Sequence, residues 1–350
     1  MAELWQSCGR VVAEQQLTLK MKTWKVELYM KFTEQELKNY AQPLSETEIE
    51  KCKNAIRMVR DAMKETGFID DSNDIQNLIA DTYTFGTVLR SKDNNRKVKL
   101  FLQGSFANNT NVRRESDVDI AIILESMFKP KYRTGTTSSA YGHVDATDSL
   151  YKFKDDVQKV LEYKFGDDVV RKDKSIKING NTYRVDTDTV PSMRYRDYSN
   201  DYSNLDDNYV EGIVIYPDSG GTIINYPELH IRNGKAKNSS TNFMYKKMVR
   251  IIKKMRYIMQ DIGYSSANNV SSFGLESLLW NIPDRVYATY SSIYRYTFDE
   301  LIKYVQRENI SNYKEANGIK ELFPTQQVLN DYKRFIDDIN SFYEYDIKEQ

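Results

Sequence analysis

From Ser45 onward the apolar residues recur in steps of three and four: Ile49, Cys52, Ala55-Ile56, Val59 and Ala62-Met63. That period is the mark of a helix with one buried stripe. Ser45 with Glu48 three residues later is a capping box, so a long helix is predicted to open at Pro43-Leu44-Ser45. A short helix is then predicted over Asp74–Asp81 and a strand over Tyr83–Leu89, followed by a charged turn from Ser91 to Lys97. Two apolar strands flank a polar turn in Leu100–Leu124. The stretch Phe128–Asp148, rich in Gly, Thr and Ser, predicts a loop long enough to be functional or mobile. Ser149–Phe165 is predicted to be a helix closed by Gly166.

Alternating residues on either side of Asn179-Gly180-Asn181 predict strands and a hairpin within Val169–Pro191. A further strand pair is predicted at Gly212–Tyr216 and Gly221–Tyr226. Beyond Asn233-Gly234 the period becomes helical. Over Thr241–Gln260, Met244, Met248, Ile251-Ile252, Met255 and Ile258-Met259 make one apolar face, while Lys246, Arg250 and Lys253 fall on the other. Helices are also predicted at Ser272–Trp280, Thr297–Arg307 and Thr325–Tyr345. The order predicts an α+β fold, a mixed sheet with helices joined to an all-helical last third. Its divisions are an extension over 1–42, a core lobe with a spine helix over 43–235 and a helical lobe over 236–350. Residues 1–20 lack a pattern and precede Met21, so a loose extension or a start-site artefact is expected there.

Composition narrows this picture. The 350 residues carry 50 Lys and Arg against 50 Asp and Glu, so no basic surplus marks a dedicated nucleic-acid binder. Two cysteines, Cys8 and Cys52, give no disulfide or structural-zinc framework, which suits a reducing, cytoplasmic setting. No apolar run reaches membrane-spanning length, and Met1–Lys20 lacks the apolar centre of a secretion signal. With only His143 and His230, a histidine-based metal site is disfavoured.

The chemistry concentrates in Leu100–Leu124. Asp117 and Asp119 lie two apart entering a strand and so share a face. Gly104-Ser105 precedes them with free backbone N–H groups suited to phosphate. Paired carboxylates beside a phosphate nest are what two-Mg²⁺ phosphoryl transfer needs. Asp186 and Asp188 form a second pair, either of which can face the same cleft. Two acids at a strand edge also fit a merely solvated face, but the spacing G-S-x(11)-D-x-D plus a distant Asp favours a site.

This pattern resembles the polymerase-β-type nucleotidyltransferases. More narrowly it resembles the branch that makes cyclic oligonucleotides, the CD-NTases of bacterial anti-phage systems. The likeness rests on QGSFANNTNVRRESDVDI (103–120), TYRVDTDTVPSMRYR (182–196), GIVIYPDSGGTIINYPELH (212–230) and SSFGLESLLWNIPD (271–284). It implies a core lobe and a helical lobe that complete a nucleotide cleft, and joining of NTPs into a cyclic di- or trinucleotide with release of pyrophosphate. It implies Asp117, Asp119 and a third Asp as ligands of two Mg²⁺ ions, with Mn²⁺ as a substitute. The family's third Asp is followed by two residues and then Pro, which selects Asp188 of Asp188-Thr189-Val190-Pro191 and leaves Asp186 in support. Gly104 and Ser105 would hold the β- and γ-phosphates, with Gln103 lining the pocket or simply ending a strand. Lys246 matches the family's helical lysine to the triphosphate, though a solvated helix face accounts for it too. Ser272 matches a serine that touches phosphate, and Phe273 an aromatic that stacks on a base or else packs in the core. Implied partners are NTPs such as ATP and GTP and a downstream effector reached through the product, with the chain a monomer off the membrane. Zinc-dependent DNA sensing is not expected, since no Cys/His cluster exists. An RNA- or protein-modifying nucleotidyltransferase and an inactive nucleotide-binding scaffold are the competing functions.

Overall fold

The computed structural model describes residues 32–71, 74–112, 117–146, 150–290 and 293–343. The readings made for residues 1–20 and Cys8, for Ser149 as a helix start and for the far end of the last helix lie outside that set. The chain opens with α1 (Glu34–Tyr40) and α2 (Glu46–Glu65). The capping box at the start of α2 forms as the sequence requires. The Ser45 hydroxyl accepts from the Glu48 N–H at 3.3 Å, and the Ser45 N–H donates to the Glu48 carboxylate at 2.7 Å.

Strands β1 (Phe68–Asp70), β2 (Gln76–Asn77), β3 (Phe85–Ser91) and β4 (Lys97–Gln103) follow. The helix expected over Asp74–Asp81 is not formed. Asn77 donates instead to the Thr82 carbonyl at 2.6 Å, and Asp81 turns the chain at φ 59°. Short polar side chains that bond nearby backbone compete with a helix, and here they win. A one-turn helix, α3 (Gly104–Ala107), leads to the long β5 (Val118–Tyr132).

Strand β5 extends well into the predicted excursion. It crosses a bulge between Leu124 and Phe128, and its pairing resumes from Phe128 to Tyr132. Pro130 is tolerated because β4 stops pairing opposite Leu124, leaving β5 an open edge beyond that point. After α4 (Leu150–Phe165) the run Val169–Ile178 folds on itself as β6 (Val169–Arg171) and β7 (Ile176–Ile178), an added hairpin inside the predicted strand. Next come β8 (Thr187–Tyr198), β9 (Val210–Ile215) and β10 (Ile223–Asn225).

These strands make one sheet in the order β1-β3-β4-β5-β8-β7-β6, with β9 on the far half of β8, β10 on β9, and β2 on β3. The β5–β8 pair is parallel; the other pairs are antiparallel. Pro191 sits mid-β8 in the gap between its β7 partners, which end at Thr189, and its β9 partners, which begin at Met193, so no ladder bond is lost there. Helices α2 and α4 cover one face, where Ile56, Val59, Phe153 and Val157 pack on Leu100, Ile120 and Ile122.

The chain then becomes helical: α5 (Pro227–Ser240), α6 (Tyr245–Asp261), α7 (Ser272–Asn281), α8 (Asp284–Ala288), α9 (Tyr294–Arg307) and α10 (Gln326–Tyr343). Helix α5 begins before the predicted change of character and puts Ile231 against Phe101, Ala121 and Ile123 on the sheet's second face. The helical lobe has its own core, built from Met248, Ile252, Leu275, Leu278, Phe298 and Phe335, and Leu37 of α1 joins it. The early segment around α1 is thus part of the helical lobe. The Arg250 guanidinium ties the two ends, donating to the carbonyl of Ala41 at 2.6 Å and to that of Asn109. None of the helices among the described residues is long and apolar enough to cross a membrane.

Candidate active site

The register of the parallel pair builds the site. Asp119 of β5 lies directly opposite Asp188 of β8, at the roughly 4.8 Å spacing of neighbouring strands. Asp117, two residues before Asp119, extends the acidic surface and is exposed. Asp188 is steadied by the Ser175 hydroxyl at 3.1 Å and by the Lys172 ammonium at 3.3 Å, both from the turn of the added hairpin. Asp186 precedes β8 and does other work. It pairs with Lys177 at 2.6 Å and accepts from the Gly180 N–H at 2.5 Å, closing the β7–β8 connection. The geometry therefore brings Asp117, Asp119 and Asp188 together and leaves Asp186 outside.

Gly104 is the joint between β4 and this acidic surface. Its φ of +66° is a left-handed conformation that disfavours a side chain, and a Cβ there would meet Asp119 Oδ2 at 2.5 Å. Gln103, one residue earlier, ends β4 opposite Asp119. The backbone after Gly104 curls tightly, with the Asn108 N–H donating to the Gly104 carbonyl at 3.2 Å and the Thr110 N–H to the Ser105 carbonyl at 2.8 Å.

Ser105, Thr110, Val112, Asp117 and Asp119 face Lys253, Tyr257 and Ser272 of the helical lobe across a cavity of about 260 Å³. Ser272 opens α7, whose N-cap Ser271 accepts from the Gly274 N–H at 2.9 Å, and a helix N-terminus favours anions. Burial pushes the Asp119 carboxyl up to about 7, with the negative charges of Asp188 and Asp117 adding to it and Lys172 opposing. Three hard carboxylates that repel one another beside such a cavity fit Mg²⁺. Among the described residues no group of three or more Asp, Glu, His or Cys side chains is arranged to hold a metal ion by itself. A cation here would need substrate phosphates to complete its coordination.

Two expectations shift. Lys246 is buried rather than solvated, and it does not line the cavity; Lys253, two turns later on the same face, does. Of the two, Lys253 borders the cavity, with its ammonium bonded to Glu276 and Thr110. Burial pushes the Lys246 ammonium down to about 8, with Arg250 and Lys235 adding to the fall and Glu276 opposing it. Phe273 is not core: it is 38% exposed beside the cavity-lining Ser272, its ring edge-on to His230 at 5.0 Å. His143 holds a structural place between Tyr132 and Asp206.

The sequence reading missed Glu276. It is 1% exposed, takes hydrogen bonds from Lys253, Thr110 and Asn108, and lies 2.9 Å from His230 Nε2. Its signal was a lone acid within the apolar run Leu275-Glu276-Ser277-Leu278-Leu279, where a charge survives only if paired.

Comparison with known proteins identifies relatives of this chain. The family described as cGAS/DncV-like nucleotidyltransferase C-terminal helical domain matches residues 232–344, and the nucleotidyltransferase domain family matches residues 84–180. The chain is 45% identical over 319 residues to the cyclic GMP-AMP synthase CdnE03 of Staphylococcus schleiferi, covering 90% of this chain and 98% of that protein. It is 35% identical over 300 residues to the cyclic dipyrimidine nucleotide synthase CdnE of Cecembia lonarensis, covering 85% and 90%. The solved CdnE cyclic dinucleotide synthase of Elizabethkingia meningoseptica, with GTP and Apcpp, superposes at a TM-score of 0.68 with 30% identity, covering 90% of this chain and all of that one. The Rhodothermus marinus CdnE c-UMP-AMP synthase, with Apcpp and Upnpp, gives 0.72 with 26% identity, covering 91% and 100%.

Proposed function

The chain belongs to the cGAS/DncV-like nucleotidyltransferases, and we propose that it joins two or three NTPs into a cyclic nucleotide messenger, releasing pyrophosphate, in bacterial anti-phage defence. The observation that carries this is the in-register pair Asp119–Asp188 with Asp117 and the Gly104 turn beside it. Asp117, Asp119 and Asp188 would hold two Mg²⁺ ions. Bound there, the ions supply charge for the triphosphate and ease loss of a proton from the attacking ribose hydroxyl.

The chain's own groups do the rest. Backbone N–H groups after Gly104 and the Ser105 hydroxyl receive the terminal phosphates. Lys253 and the start of α7 at Ser272 offer positive charge from the opposite lobe. Phe273 supplies a ring for a base. Holding both reactants between two lobes keeps the linear intermediate in place for a second, ring-closing attack. Purine nucleotides are the first substrates to try, since the 45% identical relative is a cyclic GMP-AMP synthase. The test is incubation with each labelled NTP and Mg²⁺, then phosphatase. Phosphatase-resistant small products support the proposal; label on RNA or protein, or none at all, refutes it.

A further inference from the structure

Glu276 sits where three segments meet. Its Oε2 accepts from Lys253 Nζ at 2.8 Å and from the Thr110 hydroxyl at 2.7 Å. Its Oε1 accepts from Asn108 Nδ2 at 3.0 Å and lies 2.9 Å from His230 Nε2. Lys253 also donates to the Thr110 carbonyl at 3.2 Å. The carboxylate thus joins α6, α5 and the segment after the Gly104 turn to its own helix, α7. Burial alone would raise its pKa, but the Lys253 ammonium and His230 beside it hold it well below the usual carboxylate range. A buried carboxylate with donors from Lys253, Thr110 and Asn108 is satisfied, rigid and costly to disturb.

Two of its partners, Lys253 and Thr110, line the cavity from opposite lobes. We infer that Glu276 is a positioning residue for substrate: it fixes Lys253 relative to the Asn108–Val112 segment, so both lobes present their triphosphate contacts in one arrangement. This rests on the cavity being the triphosphate site. Lys253 with its charge fully absorbed would be a poor phosphate ligand. The three protons of the ammonium go to Glu276 Oε2 at 2.8 Å and to the Thr110 carbonyl and hydroxyl at 3.2 Å each. Lys253 therefore meets an entering anion by exchanging one of the two longer Thr110 bonds while Glu276 keeps its stem in place.

The test is binding to the full chain, measured apart from turnover. Dissociation constants of ATP and AMP, with GTP, CTP and UTP alongside, are compared in Mg²⁺ buffer for wild type, E276Q, K253M and the double variant. In E276Q the constant for ATP is expected to rise about tenfold, the lower end of what losing an orienting partner costs. AMP affinity should change little, and the double variant should bind ATP no worse than K253M alone. The inference is overturned if folded E276Q binds ATP as wild type does, if ATP and AMP weaken equally, or if the two substitutions add in full. Should E276Q not fold, T110V removes the Thr110 hydroxyl's bond to Glu276 and should weaken ATP binding in the same selective way; unchanged selectivity there refutes it. Wild type that binds ATP yet makes no cyclic product would sink the proposed activity and leave this inference standing.

Discussion

Replacing Gly104 by Ala adds one methyl group at the most constrained point of the site. The substitution has two separable costs. A side chain at φ +66° costs about 1–2 kcal/mol wherever it occurs. Here the new Cβ would also lie 2.5 Å from Asp119 Oδ2, well inside contact, so the carboxylate or the turn must move by something near 1 Å. Misplacement of that order costs about 10²-fold in rate. Gly142 provides the control, since it has φ +70° with nothing within 4 Å of a Cβ. G142A should lose thermal stability at about 2–4 °C per kcal/mol, and G104A at least as much because of the added clash. G104A alone should lose about 10²-fold in the initial rate of phosphatase-resistant product. If G104A works within a few-fold of G142A, the turn and Asp119 are not coupled, and the site as described is wrong.

D188N should cut the rate by about 10²–10³-fold or more, while D186N should stay within about threefold, because its partly exposed ion pair is worth less than about 1 kcal/mol; equal losses would refute the choice between the two. Asp119 is protonated more readily in the folded protein than in the unfolded chain, so in the absence of metal its contribution to stability is full below pH 3.8 and is lost as pH rises through about 7. Mg²⁺ favours the ionised form, so added Mg²⁺ should raise the melting temperature more at pH 8 than at pH 6 and release protons at pH 6, read by calorimetry in two buffers; a pH-independent effect counts against metal at Asp119. S45A should lose about 1 kcal/mol of stability from the α2 cap, with turnover intact below the melt.

Much of the core lobe was legible because its signals are local. The Ser45 and Glu48 pair and the strand that follows Asp117 each state their structure within a few residues. The predicted Asn179-Gly180 hairpin instead opens into a wider connection, because the first strand ends at Ile178 and the second begins only at Thr187. The choice of Asp188 over Asp186 was open to spacing and came from family likeness; in the structure the strand register separates them. What failed was non-local. Periodicity placed Lys246, Arg250 and Lys253 on one face of α6, but it cannot say what that face meets. It meets the backbone carbonyls of Ala41, Asn109 and Thr110, so the charged side is buried and only Lys253 reaches the cavity. Leu37 looked like part of an extension because its partners lie more than 200 residues away in sequence.

The parallel pairing of β5 with β8 also sets when this protein can begin to act. Asp119 and Asp188 are 69 positions apart, and the cavity's far wall at Lys253 and Ser272 is later still. Because parallel, long-range pairings form late and chains emerge from the ribosome N-terminus first, a nascent chain has no assembled site until most of its length has been made. Chains cut short before Ser272 lack part of the cavity wall, so they should make no product.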